Sequence, residues 1–105
     1  MSVTTSTQNE GKTLKISISG TLGNDIHKAF REAYEKNSSG SFIVDLGHAN
    51  NIDSSGLGML LLLRDFAGGE SSDITIVNCS QTILDIFNVT CFYRLFKIPE
   101  YKQTS

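Results

Sequence analysis

The chain has 105 residues, 39% of them apolar and 19% charged, with nine basic and eleven acidic side chains and a formal charge of −2. That is one domain's worth of sequence with enough apolar residues for a core, which excludes wholesale disorder. The charge balance lacks the basic footprint that binding to nucleic acid or insertion at a membrane surface requires. Cys79 and Cys91, with eleven residues between them, make neither a disulfide framework nor a zinc site. Met1–Thr5 carry no charged-then-apolar segment, so no signal peptide is expected. The longest apolar run, Met59–Leu63, is far too short for a membrane span. The expectation is a soluble cytoplasmic protein with reduced thiols.

Val3–Gln8 reads as a weak first strand of a hairpin turning at Asn9-Glu10-Gly11-Lys12, within a segment, Ser2–Asn9, that can fray. Leu14, Ile16 and Ile18 alternate with Lys15, Ser17 and Ser19, the pattern of a half-buried strand. Asn24 or Asp25 can cap a helix to about Lys36, with Ile26, Ala29, Phe30 and Ala33 as its apolar stripe, ended by Asn37-Ser38-Ser39-Gly40. Phe42–Leu46 is nearly continuously apolar, as expected of an interior parallel strand covered on both faces. A loop, Gly47–Ile52, leads to a second helix that opens at Asp53-Ser54-Ser55-Gly56 and runs to about Ala67, stopping at Gly68-Gly69. Ile74–Val77 is the next strand. Ser80 caps a third helix buried through Ile83, Leu84, Ile86 and Phe87, and Leu95–Ile98 is a last strand closed by Pro99. The order β-β-α-β-α-β-α-β predicts an α/β fold, with function beyond the carboxyl ends of the strands.

The segment Asp53-Ser54-Ser55-Gly56-Leu57-Gly58 carries the most chemistry. Asp53 or Ser54 can accept a hydrogen bond from a first-turn N–H, and an acid there suits the helix dipole. If Ser54 is the cap, Ser55 stands at the first helical position with its hydroxyl outward. Gly56 and Gly58 then leave its surroundings bare for another protein's active site. The plainer alternative is that these residues cap a helix and nothing more. Leu57, Leu60 and Leu61 are expected to face the sheet, with Met59, Leu62 and Phe66 on other sides, covered by neighbouring helices or forming a partner patch.

Phe42-Ile43-Val44-Asp45-Leu46 followed by Ile52-Asp53-Ser54-Ser55-Gly56-Leu57-Gly58 resembles the STAS domain of bacterial anti-sigma factor antagonists. The similarity covers nearly the whole chain, so residues 1–105 are expected to form a single STAS domain, a mixed sheet packed with helices. Ile18-Ser19-Gly20-Thr21-Leu22 resembles the family's strand ending in Gly-x-Leu. Val77-Asn78, Ser80 and Phe92–Phe96 resemble its later strand, helix and closing strand. The family often has an acidic residue just after Gly-x-Leu; this chain has Gly23, with Asp25 two residues later.

The resemblance implies a module that binds an anti-sigma factor acting also as a switch-type serine kinase. Bound in its unphosphorylated state, the module frees a sigma factor. The kinase phosphorylates the second serine of the motif, Ser55 here, with Ser54 the second candidate, and a metal-dependent serine phosphatase reverses the step. Nucleotide and metal belong to those partners, so this chain is expected to hold no cofactor and no metal. The implied partner surface is Asp25, Asn51, Asp53, Ser54, Ser55, Gly56, Leu57, Gly58, Met59 and Leu62. STAS-like modules also serve as constitutive scaffold subunits of lipid-transporting ABC complexes and of stress-sensing assemblies, which is the competing reading. An enzyme is not expected. Asp-Ser-Ser-Gly is not a nucleophile elbow, and the two histidines, His27 and His48, read as a solvated helix-face residue and a surface loop residue near Ser55.

Overall fold

Two strands open the chain and pair with each other. In the computed structural model, which describes residues 2–36 and 40–101, β1 (Ser2–Gln8) runs antiparallel to β2 (Thr13–Leu22) from Ser2↔Ser19 to Gln8↔Thr13. The hairpin is closed by Asn9, Glu10 and Gly11, all at positive φ (53°, 60° and 85°). The segment expected to fray is thus paired along its length from Ser2 to Gln8, even though only Val3 of β1 is half-buried against the core.

The next two strands continue the sheet in parallel. β3 (Ser41–Ile52) pairs with β2 from Thr13↔Ser41 to Leu22↔Ile52, and β4 (Ile74–Val77) pairs with the first part of β3, giving the order β1-β2-β3-β4. The stretch Gly47–Ile52, expected as a loop, is strand. Register shifts between Ser17 and Ser19 and between Gly20 and Thr21 let it follow β2 to its end. Single-residue irregularities of this kind absorb residues that do not fit the pleat.

β3 is interior but is not covered on both faces. Leu14, Ile16, Ile18, Phe42, Val44, Leu46, Ile74 and Ile76 are buried on one face. Lys15, Ile43, Asp45, Thr75 and Val77 stay half-exposed on the other, where Lys15 Nζ lies 3.4 Å from Asp45 Oδ2. The buried face and the helices share one core, in which Phe30, Leu60, Leu63, Ile83 and Phe87 are essentially inaccessible. Each such side chain contributes about 1.5–3 kcal/mol of transfer free energy.

The helices fill the crossovers. A 3-10 turn (Asn24–Ile26) leads into α1 (His27–Glu35) with no side-chain cap, so neither Asn24 nor Asp25 plays the expected role; the Ile26 N–H donates to the Gly23 carbonyl at 3.1 Å instead. The tight turn changes the phase of the stripe. Ile26, Phe30 and Tyr34 are buried, whereas Ala29 is exposed and Ala33 only half-buried. The residues expected to end this helix, Asn37–Ser39, lie outside the described residues. α2 (Ser54–Phe66) stops where Gly68 turns left-handed at φ 116°, and α3 (Gln81–Val89) starts at Ser80, whose Oγ accepts from the Ile83 N–H at 3.3 Å. Leu84 and Ile86 of α3 are half-buried, so its deep contacts reduce to Ile83 and Phe87. The last strand shrinks to one parallel bridge, Thr75↔Lys97, held by Ile76 N–H to Lys97 O (2.8 Å) and Lys97 N–H to Ile74 O (3.0 Å). A 3-10 turn (Phe92–Arg94) precedes it and points Phe92 and Phe96 into the core, where Phe92 stacks on Phe87.

Candidate functional site

β2 and β3 are parallel neighbours, so their carboxyl ends, Leu22 and Ile52, emerge side by side. The helices that follow them therefore begin next to each other. The Asp53 N–H donates to the Leu22 carbonyl at 3.2 Å, and Asp53 Oδ1 accepts from the Gly56 N–H at 2.9 Å. Asp53, not Ser54, is thus the cap, and its carboxylate lies at the positive end of the helix dipole. Ser54 and Ser55 take the first and second helical positions. Both are exposed, and among the described residues neither hydroxyl makes a hydrogen bond.

Two glycines hold this arrangement, for a reason other than bareness. A Cβ on Gly56 would lie 2.0 Å from the Leu22 carbonyl oxygen and 2.9 Å from Ile52 Cγ1. Gly56 is buried, and it lets the helix start in contact with the strand ends. Gly23 is extended (φ −164°), a conformation open to any residue, yet a Cβ there would lie 2.3 Å from Asp53 Oδ2. The missing side chain at 23 leaves room for the capping carboxylate. Of Gly23, Gly56 and Gly58, Gly58 is the one that faces open space.

The contact at Gly56 also sets which side of α2 is buried: Gly56, Met59, Leu60 and Leu63. Leu61, expected to face the sheet, is 42% exposed, while Leu62 and Phe66 are about half exposed. Phe66 rests on Tyr34 of α1, with ring centroids 5.0 Å apart. Of the implied partner surface, Asp25, Asn51, Asp53, Ser54, Ser55 and Leu62 are exposed and Leu57 and Gly58 half-exposed. Gly56 and Met59 are buried and support the surface from below instead of presenting it.

A groove of about 420 Å³ runs between the starts of α1 and α2, lined by Asn24, His27, Ser55, Gly58, Met59 and Leu62. The histidine beside the Ser55 groove is not the one nearer in sequence. His48 is exposed on β3 opposite Ser19, whereas His27 lines the groove. The usable signal was topological, since consecutive helices following adjacent parallel strands start together. Asp25 and Asp53 meet across an adjoining notch with Thr21, Gly23 and Asn24.

Elsewhere the polar groups are structural. Burial above all, with the charges of Glu100 and Asp45, pushes the Cys79 thiol up to about 12, so it stays protonated. Cys91 is an exposed free thiol. Among the described residues no group of three or more His, Cys, Asp or Glu side chains is placed to hold a metal, and no helix is long and apolar enough to cross a membrane.

The domain-family model described as Mlab, STAS domain matches residues 5–97. A STAS-domain containing protein of Pseudomonas aeruginosa (strain UCBPP-PA14) is 43% identical over 100 residues, which span 93% of this chain and 99% of that one. Among solved structures, a putative anti-sigma factor antagonist from Thermotoga maritima superposes with a TM-score of 0.80 at 13% identity, covering 91% of this chain and 84% of that one. The anti-sigma factor antagonist SpoIIAA in its unphosphorylated form gives 0.73 at 17% identity, covering 92% and 87%. Bacillus SpoIIAA in its phosphorylated form gives 0.65 at 17%, covering 92% and 90%. At these identities the solved structures speak for the fold, a four-stranded mixed sheet with three helices like that of anti-sigma factor antagonists. Taken with the family match and the bacterial relative, they lead to one assignment: the chain belongs to the STAS domain family.

Proposed function

We propose that residues 1–105 act as a single cytoplasmic STAS domain whose function is that of an anti-sigma factor antagonist switched by phosphorylation of Ser55. One observation carries this reading: two exposed serine hydroxyls, free of hydrogen bonds among the described residues, stand on a rigidly capped helix at the rim of a mostly apolar groove. Ser55 lines that groove and Ser54 does not, which favours Ser55. In the transfer, Ser55 Oγ bonds to the terminal phosphorus of a nucleoside triphosphate held by the partner kinase. The bond from that phosphorus to the diphosphate leaving group breaks, and the hydroxyl proton passes to a base on the partner. A metal-dependent serine phosphatase restores the hydroxyl by hydrolysis: water attacks the phosphorus, the bond from phosphorus to Ser55 Oγ breaks, and inorganic phosphate leaves. The chain itself supplies binding, not catalysis.

The phosphate brings about −1.5 to −2 charges to an interface that is neutral along Ser54–Leu63. The helix N-terminus tolerates that charge, and water screens its repulsion from exposed Asp53, so the fold is retained and the effect falls on the partner. A loss of about 3 kcal/mol weakens binding more than a hundredfold. Ser55→Ala should bind the purified anti-sigma factor kinase like the unmodified chain, and Ser55→Asp more than a hundredfold more weakly. Equal binding by the acidic variant overturns the switch.

A second reading, a constitutive scaffold subunit of an ABC lipid transporter or stress-sensing complex, is favoured by Leu61 and Phe66, half-exposed apolar side chains that do not line the Ser55 groove. Intact-mass measurement on chain purified from its native cell separates the two. Phosphate on Ser55 supports the switch, and its absence under all growth conditions supports the scaffold.

A further inference from the structure

The groove beside Ser55 has one ionisable side chain in its walls. His27 sits half-buried at the first position of α1, and among the described residues its imidazole makes no hydrogen bond or ion pair. The facing wall from α2 is Gly58, Met59 and Leu62, and no residue from Ser54 to Leu63 is charged. The charged residues on the flanking elements are Asp25 in the preceding turn, Lys28 and Arg31 further along α1, and Asp53 at the cap of α2, and none of them lines the groove. Arg31 is engaged with Glu35 at 3.9 Å, and Lys28 is exposed and does not line the groove. An unpartnered imidazole against apolar walls, next to a hydroxyl that receives a dianion, is placed to gain from that dianion's arrival.

Resting on the reading of Ser55 as the modified residue, we propose that His27 is the intramolecular receptor of the phosphate: once Ser55 is phosphorylated, the imidazole takes up a proton and pairs with the phosphate across the groove. The phosphate then leans over Met59 and Leu62 and occludes the groove as well as charging its rim. The sign follows from the charges. A dianion favours the protonated ring, so the pair is strongest at mildly acidic pH and weakens as pH rises through the range where imidazoles lose their proton.

The test uses full-length chain with phosphoserine installed at position 55 during translation, alongside the unmodified chain. The imidazole signals of His27 and His48 are followed by NMR between pH 5.5 and 8.5. On phosphorylation the His27 titration midpoint should rise by about 0.5–1 pH unit, while that of His48 stays in place. The phosphorus resonance should titrate at lower pH than in a His27→Gln chain. A His27 curve unchanged by the phosphate, or an equal shift of both histidines, overturns the inference. Because the phosphate is installed without a kinase, that failure is separate from failure of the Ser55 switch, which is judged on chain from native cells.

Discussion

The starts of α2 and α3 share one device and use it differently. In each, a side-chain oxygen caps the N–H three residues on, Asp53 to Gly56 and Ser80 to Ile83. At α2 the junction is otherwise fixed through backbone: the Leu22 carbonyl accepts from Asp53 N–H, and Gly56 lies against the same oxygen. At α3 it is fixed by side chains. Asp45 Oδ1 accepts from Asn78 Nδ2 at 3.1 Å and from Gly47 N–H at 2.8 Å, and Glu100 Oε1 accepts from Cys79 N–H at 2.9 Å. Where a carboxylate caps and backbone does the anchoring, the serines that follow keep their hydroxyls free. Where a serine caps, its hydroxyl is already engaged. Two helix starts with similar serine-containing sequences therefore differ in what they offer to another molecule.

The largest test of that contrast is at the glycines. Gly56→Ala pushes a methyl into the Leu22 carbonyl and should cost about 2–3 kcal/mol or more, whereas Gly58→Ala, in open space within the same helix, should stabilise by about 0.5–1 kcal/mol. Urea titration of both variants decides; similar midpoints would remove the backbone anchor from the account. Next come the caps. Asp53→Ala and Ser80→Ala should each lose about 1 kcal/mol, while Ser54→Ala and Ser55→Ala stay within about 0.5 kcal/mol of the parent. A cap-sized loss at Ser55 would mean that its hydroxyl is not free.

The smallest effect is expected from Asp45, and it is read in the acid limb of the stability curve. Burial pushes its carboxyl up, but the donors Asn78, Gly47 N–H and Lys15 together hold it below the ordinary value. Its ionised form is thus favoured in the folded state. The stabilisation is present above the unfolded carboxylate range and fades as pH falls through the lowered folded value. Asp45→Asn should flatten the loss of stability below about pH 4 without abolishing it, because Asp73 is lowered in the same way by Lys97 and Ser41. An unchanged acid limb would show that the α3 junction does not depend on this carboxylate.

Alternation and helical spacing made most of the fold legible. Leu14-Ile16-Ile18, the Ile74–Val77 run and the Ser80 cap needed no tertiary information. Three features did. Gly47–Ile52 is full of turn-formers, and only pairing with the end of β2 makes it strand. The buried side of α2 depends on where Gly56 meets Leu22, which no periodicity rule contains, so Leu61 and Met59 exchange their expected places. Tyr34 replaces Ala29 in the α1 stripe because a 3-10 turn sets the helix phase. At the candidate site, the Asp-Ser-Ser-Gly segment was readable as a cap with spare hydroxyls. His27 was not, since its proximity to Ser55 arises from strand order alone.

β4 accompanies β3 only as far as Asp45, while β3 continues to Ile52 beside β2. At about 3.3 Å per residue the serine-bearing tip extends roughly 20 Å past the end of β4. The domain is thereby built as a headland and a hinterland. α3 follows the shorter strand and belongs to the hinterland, while Ser54 and Ser55 stand on the headland, so a partner of the kind proposed would meet the tip with β4 set back from it.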